Sequence, residues 1–357
     1  MFNKALYAML SLVALLVLPP MGFPIQTAQA GTPYNLGDVF AGVGNGKVNQ
    51  YDQDGTLIQV LDTGGTSFEQ TGMCFDAAGH LRVTSWTAGT MTEFDADGDV
   101  VTSPWAGPWN KHPETCEALA DGTIVVGEVD GSPQRITKWS ADGLTLLDTN
   151  SPAVDGRGTD WLDIGTDSCT VKYTSEIDKI LAYNICTDTQ LPDFATGLPG
   201  GTCFALRERA NGEVLVACSD MVNRLDSTGT VLQSYTLASM GIPDGFVFAL
   251  NLDPDGTSFW TAEYGSGAVR KVDIGAGTVL KSWTATPNVF STAGLAVFGE
   301  LGTPPPPPTG GPVGGTVLPI DMVSLVMAGI YSQPQFVTIV GALAAALFTA
   351  LRLRKKL

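Results

Sequence analysis

Histidine is nearly missing from this chain: His80 and His112 are the only two in 357 residues. Cysteine occurs six times, never as Cys-x-x-Cys. Together these features argue against a structural zinc centre built from those two residue types. Basic side chains are also scarce, 19 Lys and Arg against 36 Asp and Glu, for a formal charge of −17. One basic residue lies in the first 30 positions and four in the last six. Residues 31–300 therefore hold 14 basic and 35 acidic side chains, a formal charge of −21. Such a body repels nucleic acid and anionic membrane surfaces. It also lacks any stretch with a 3.6-residue apolar period, which excludes a helical solenoid.

Long apolar runs are confined to the two ends. Lys4 precedes the uncharged stretch Ala5 to Leu18, and Ala28-Gln29-Ala30 supplies a small-x-small cleavage pattern. Residues 1–30 thus read as a signal peptide. At the other end no charge falls between Asp321 and Arg352, and Phe336 to Leu351 is almost wholly apolar. A helix over about 336–353 suffices to cross a bilayer of ~30 Å. Arg352, Arg354, Lys355 and Lys356 then mark its cytoplasmic side. Prolines 304–308 and the glycines after them make residues 301–320 a spacer, stiff and then flexible. The expected plan is a signal peptide (1–30), a body (31–300), a linker (301–320) and a membrane anchor (321–357). The body would stand on the extracellular face. The polar stalk, apolar helix and basic end resemble the C-terminal surface-retention tails of prokaryotic surface proteins. No LPxTG-type motif is present, so a retained span is expected.

The body repeats. Turn signals containing Gly79, Gly122, Asp167, Gly212 and Gly256 are spaced 43, 45, 45 and 44 residues apart. A second series lies between them at Asp52 to Gly55, Asp95 to Gly98, Ser140 to Gly143, Asp226 to Gly229 and Asp273 to Gly275. Such turns favour residues that tolerate positive φ. Short strands rich in Val, Ile, Thr and aromatics flank them, as in Thr123-Ile124-Val125-Val126. A four-strand unit of ~44 residues is the signature of a propeller blade. Six units can be counted, which makes the fold class all-β: a six-bladed β-propeller of four-stranded blades. The first unit, Asn35 to about Asp62, holds only three strands. Residues 294–299, directly after the sixth unit, are expected to supply its innermost strand and latch the ring.

Six cysteines in an exported chain suggest disulfides. Cys169 and Cys186 are centred on a turn at Glu176-Ile177-Asp178, and Cys203 and Cys218 on Ala210-Asn211-Gly212. Each pair would face across an antiparallel ladder. Cys74 and Cys116, left by elimination, occupy nearly equivalent inner-strand places in neighbouring blades.

The runs Cys74 to Gly79, Phe94 to Gly98 and Leu252 to Thr257 resemble the blades of NHL-repeat and gluconolactonase-like propellers, a group that includes the streptogramin lyases. The resemblance covers about residues 35 to 300. It implies architecture more than activity, since the group contains metal-dependent lactonases, a lyase and pure binding modules.

In this architecture the loops entering the inner strands and the mid-blade loops share the channel mouth. They carry Glu69, His112, Glu114, Asp160, Glu176 and Glu263, with Trp86, Trp109, Trp161, Phe246 and Tyr264. Trp86, Trp109, Asp160, Trp161, Glu263 and Tyr264 are the expected ligand-binding face. An acidic, aromatic mouth suits a divalent cation such as calcium, stacked sugar rings of a glycan, a small molecule or a basic partner protein. Glu114, Asp160 and Asn251 are the candidate metal ligands, and His112 the candidate general base. Two readings stand: a surface-displayed binding module, and a metal-dependent lactonase or lyase. A largely structural envelope component is a third.

Overall fold

The computed structural model of the chain describes residues 31–285 and 292–300. The expected signal peptide, the linker and the anchor helix lie outside the described residues. The body forms six antiparallel sheets in chain order, the blades of a propeller. Blade 1 contains Val39–Gly44, Lys47–Tyr51 and Leu57–Asp62. Blade 2 contains Gln70–Phe75, Leu81–Ser85, Thr90–Phe94 and Val100–Thr102. Blade 3 contains His112–Ala118, Ile124–Val129, Arg135–Trp139 and Leu146–Asn150. Blade 4 contains Leu162–Ile164, Thr170–Tyr173 and Lys179–Asn184, with an outer edge split into Thr189–Gln190 and Ala195–Thr196. Blade 5 contains Cys203–Glu208, Val214–Cys218, Met221–Leu225 and Val231–Thr236. Blade 6 contains Val247–Leu252, Ser258–Glu263, Ala268–Asp273 and Val279–Thr284.

The turns between first and second strands explain the repeat. Asp76, Leu119, Arg209 and Asp253 each accept, through their backbone carbonyl, the amide of a glycine three residues on. That glycine (Gly79, Gly122, Gly212 or Gly256) has φ of +70° to +82°, where a side chain would be strained. In blade 4 the place is taken by Ser168, at φ +56°, so the repeat is anchored there and not at Asp167. In blade 6 the second-series turn closes on Gly277, not Gly275. The aspartate that opens a turn caps it. Asp52 Oδ1, for example, accepts the amides of Asp54 and Thr56 at 2.9 and 2.8 Å.

Burial grades outward along each sheet. Second strands such as Ile124–Val129 and Ser258–Glu263 are buried at every position. Outer strands alternate, as Val279–Thr284 does, or are largely exposed, as Leu146–Asn150 is. Each inner sheet face is therefore packed against the next blade, which is why these strands are so rich in Val, Ile and Leu.

The ring closes as expected. Leu295–Val297 pairs antiparallel with Val39–Gly44, Val39 opposite Val297 and Ala41 opposite Leu295. Gly294 is required at the approach to the next blade, since a Cβ there would stand 2.1 Å from the carbonyl oxygen of Thr71. Glu300 then ties the closing strand across to two further blades. Its Oε1 accepts from Arg207 Nε at 3.0 Å and from the amide of Leu252, and its Oε2 accepts from Asn251 Nδ2 at 2.8 Å.

All three disulfides form, and no cysteine is free. Cys203 stands opposite Cys218 in the ladder of blade 5. Cys169 does not stand directly opposite Cys186. Its carbonyl accepts the amide of Ile185, and the bridge spans a pair one residue out of step beyond the strand ends. Cys74–Cys116 joins the inner strands of blades 2 and 3.

Two stability measurements test this closure. Glu300→Ala removes the 3.0 Å ion-pair partner of the nearly buried Arg207 and should cost about 2–3 kcal/mol in urea unfolding, with an unchanged m-value. The double variant Cys74→Ser, Cys116→Ser should lose about 3–4 kcal/mol by releasing the unfolded chain.

Candidate functional site

The inner strands begin at one end of the channel, where acids of blades 3 and 4 and a tryptophan of blade 2 meet a single guanidinium. Arg157 lies in the segment leading to blade 4. Its Nη1 meets Glu176 at 2.6 Å and its Nη2 meets Glu114 at 2.8 Å and Asp160 at 3.5 Å. Its Nε is 3.7 Å from Asp130, and its plane lies over the Trp86 ring at 5.2 Å. Asp130 and Glu176 hold equivalent places, just after the second strands of blades 3 and 4, both with positive φ (59° and 54°). Glu114 and Asp160 are buried beneath the exposed part of the cluster.

Burial decides the protonation of this group. Desolvation, then the neighbouring Asp160 charge, pushes Glu114 well above the ordinary carboxyl range, against the pull of Arg157. Desolvation likewise pushes Asp160 up to about 8, again opposed by Arg157. Neither Asp160 oxygen accepts a hydrogen bond.

The other arc of the mouth is aromatic. Trp161, next to Asp160 in the chain, packs edge-on against Phe248 at 6.1 Å. Phe248 contacts Phe204 at 4.5 Å and Tyr264 at 5.6 Å, and Tyr264 stacks on Phe246 at 5.1 Å. The Tyr264 hydroxyl donates to Glu69, the acid leading into blade 2. Glu69 in turn acts electrostatically on Glu114 and Asp160. A chain of contacts thus circles the mouth, anionic on blades 2 to 4 and aromatic on blades 4 to 6.

Several expected site residues join this ring, and others do not. Trp86, Glu114, Asp160, Trp161 and Tyr264 belong to it. His112 lies on the inner strand itself, not in a loop, with Nδ1 3.2 Å from Asp130 and its ring against Trp86 at 4.9 Å. Trp109 packs on Trp139 at 5.3 Å in the cluster around the Cys74–Cys116 bridge. Glu263 is wholly buried, and its carboxylate is consumed by the amides of Phe246, Gly265 and Ser266 and by the Ser266 hydroxyl. Asn251 is not brought to Glu114 and Asp160. It binds Glu300 in a second charged group with Arg207, Asp163 and Glu117. Burial pushes Glu117 up to about 8 and Asp163 up to about 6, each opposed by Arg207.

The three candidate metal ligands have different partners, Arg157 for Glu114 and Asp160 and Glu300 for Asn251. Among the described residues the carboxylate and histidine side chains that converge tightly enough to share an ion are Asp76, His80 and Glu93. That place already holds a cation, because the Arg82 guanidinium sits 2.9 Å from both Asp76 and Glu93. Arg157, on which the mouth is organised, went unnoticed in the sequence. Its signal was there: it is the only basic residue between Lys138 and Lys172, in a stretch rich in aspartate.

The buried acids set the pH dependence. Their pKa values are raised on folding, so the folded chain keeps protons that the unfolded chain releases above about pH 4. The stability this gives is full below that pH and is lost as pH rises through about 6 to 8. The melting temperature should therefore fall between pH 5 and pH 8.5, and Asp160→Asn should flatten that slope.

Compared with protein-family models and with curated proteins, the chain matches none. Solved structures match its fold. One is a protein of unknown function from Bacteroides caccae, at TM-score 0.57 and 15% identity, over 73% of this chain and 98% of that one. A chain of a nidogen/laminin complex matches at TM-score 0.55 and 13% identity, over 73% and 97%. The WD40 β-propeller domain of Doa1 matches at TM-score 0.51 and 15% identity, over 73% and 88%. At such identities the likeness is one of fold alone, and the fold shared is the β-propeller.

Proposed function

We propose that the chain is an interaction module displayed outside the cell on a C-terminal membrane anchor, and that it docks a partner at the channel mouth. The observation that carries this reading is the ring itself, a linked set of side chains anionic on one arc and aromatic on the other. Interfaces favour aromatic anchors, and charge complementary to the partner adds specificity. The three disulfides belong to a chain that folds in an oxidising compartment, which agrees with export. The nidogen/laminin neighbour is a chain of a protein complex, which is compatible with a protein partner here. The domain plan of signal peptide, body, linker and anchor belongs to this proposal, as does the extracellular location.

A photo-crosslinking amino acid at Glu176, about one-quarter exposed at the mouth, tests the reading in cells. A control goes at Asp121, exposed in a turn between first and second strands of blade 3. The reading expects a discrete adduct from Glu176 and none from Asp121. Equal labelling from both, or none from either, contradicts it.

One observation favours the enzyme alternative, a metal-dependent lactonase or lyase of the gluconolactonase-like kind. His112 is held against Asp130, an arrangement that orients an imidazole as a general base. Hydrolysis of a lactone panel by the purified chain, lost in both His112→Gln and Glu114→Gln, would establish it. The binding reading expects no turnover.

A further inference from the structure

We propose that the mouth seats a cationic group carried on an apolar stem, an alkyl-guanidinium or alkyl-ammonium such as an arginine or lysine side chain of the partner. This rests on the reading of the mouth as a docking site and specifies what it takes. The first ground is a surplus. Four carboxyl groups, Glu114, Asp130, Asp160 and Glu176, gather around one guanidinium, that of Arg157. The second is an unmet acceptor. Asp160 is 0% exposed, neither of its oxygens accepts a hydrogen bond, and its nearest cationic nitrogen is Arg157 Nη2 at 3.5 Å. A buried carboxyl group without donors is driven to keep its proton, and what would let Asp160 ionise is a donor bearing positive charge.

The shape of the cation follows from the two arcs. Arg157 shows how the mouth treats a guanidinium: its edge meets Glu176 and Glu114 while its plane lies over Trp86. On the opposite arc, Phe246 and Tyr264 offer stacked aromatic faces to an apolar stem. A hard metal ion would use only the carboxylates, and these do not converge as a single ion requires. A second organic cation uses both arcs. Access is through the outer members, since Arg157, Asp130 and Glu176 are 25%, 23% and 27% exposed.

The test uses the full chain in detergent micelles and short glycine peptides with a central arginine, lysine or citrulline, followed by tryptophan fluorescence. Saturable binding of the arginine and lysine peptides is expected, with citrulline at least about tenfold weaker. Asp130→Asn and Glu176→Gln, in variants that keep the wild-type melting temperature, should each weaken the arginine peptide. Salt at about 0.5 M should do the same. Spermidine and butylguanidinium distinguish the sources of this chemistry. Tighter binding of the peptides supports a protein side chain, and tighter binding of the free amines overturns that source. Citrulline binding as well as arginine, or a response to calcium chloride alone, overturns the proposal. If the Glu176 crosslinker still captures a partner in about 0.5 M salt and with Asp130→Asn present, docking stands and the cation proposal falls.

Discussion

The described structure depends on one antiparallel pairing, Leu295–Val297 against Val39–Gly44. A propeller has no covalent closure, and an open ring would leave two blade faces and two sheet edges in water. Here the first blade is built from both ends of the body, so the sheet that completes the ring is also the sheet that seals it. Residues Val39, Phe40, Ala41, Leu295 and Val297 are all fully buried, which makes the pairing a core interaction and not a surface seam. Glu300 extends the seal to blades 5 and 6 through Arg207, Asn251 and the Leu252 amide. In the proposed plan the stalk begins directly after this clamp, so any pull from the membrane would act first on the residues that hold the ring shut.

Closure also creates the mouth. Six inner strands run along one channel, and their first residues come from distant parts of the chain. Tyr264 meets Glu69, 195 positions away in sequence, only because blades 6 and 2 flank blade 1. The buried acids of the channel are the cost of this arrangement. Glu114 and Asp160 share Arg157, and Glu117 and Asp163 share Arg207, so each level of the channel has more carboxylates than cations. Levels that are undercompensated in this way are held in place by the surrounding packing, in line with function being placed where local stability is sacrificed.

Much of the fold was legible because turns are local. Asp-Gly and Asn-Gly sequences favour turns with positive φ, so their spacing exposed six blades and the missing inner strand of the first. The pattern misled where another residue did the same work: Ser168 adopts the glycine conformation in blade 4, and Gly277 displaces Gly275 in blade 6. Cysteine pairing was readable for the same local reason, although Cys169 and Cys186 lie one step out of register. The site was less legible because side-chain direction is not local. Asn251 and Glu114 both lie on inner strands, yet one points to Glu300 and the other to Arg157. Glu263 reads as a mouth acid in sequence, but its turn binds the carboxylate completely. Acids and aromatics mark the mouth in the sequence, whereas the cluster is arranged around Arg157, the single cation among them.

Amide hydrogen exchange across the closing strand tests the account most directly. If the C-terminal strand seals the ring, the amides of Ala296, opposite Phe40 in the ladder, and of Phe298, which donates to Asp38, exchange only on global unfolding, in step with Val39–Gly44. Exchange of that segment within minutes, while Val39–Gly44 stays protected, would contradict the closure and with it the mouth built upon it.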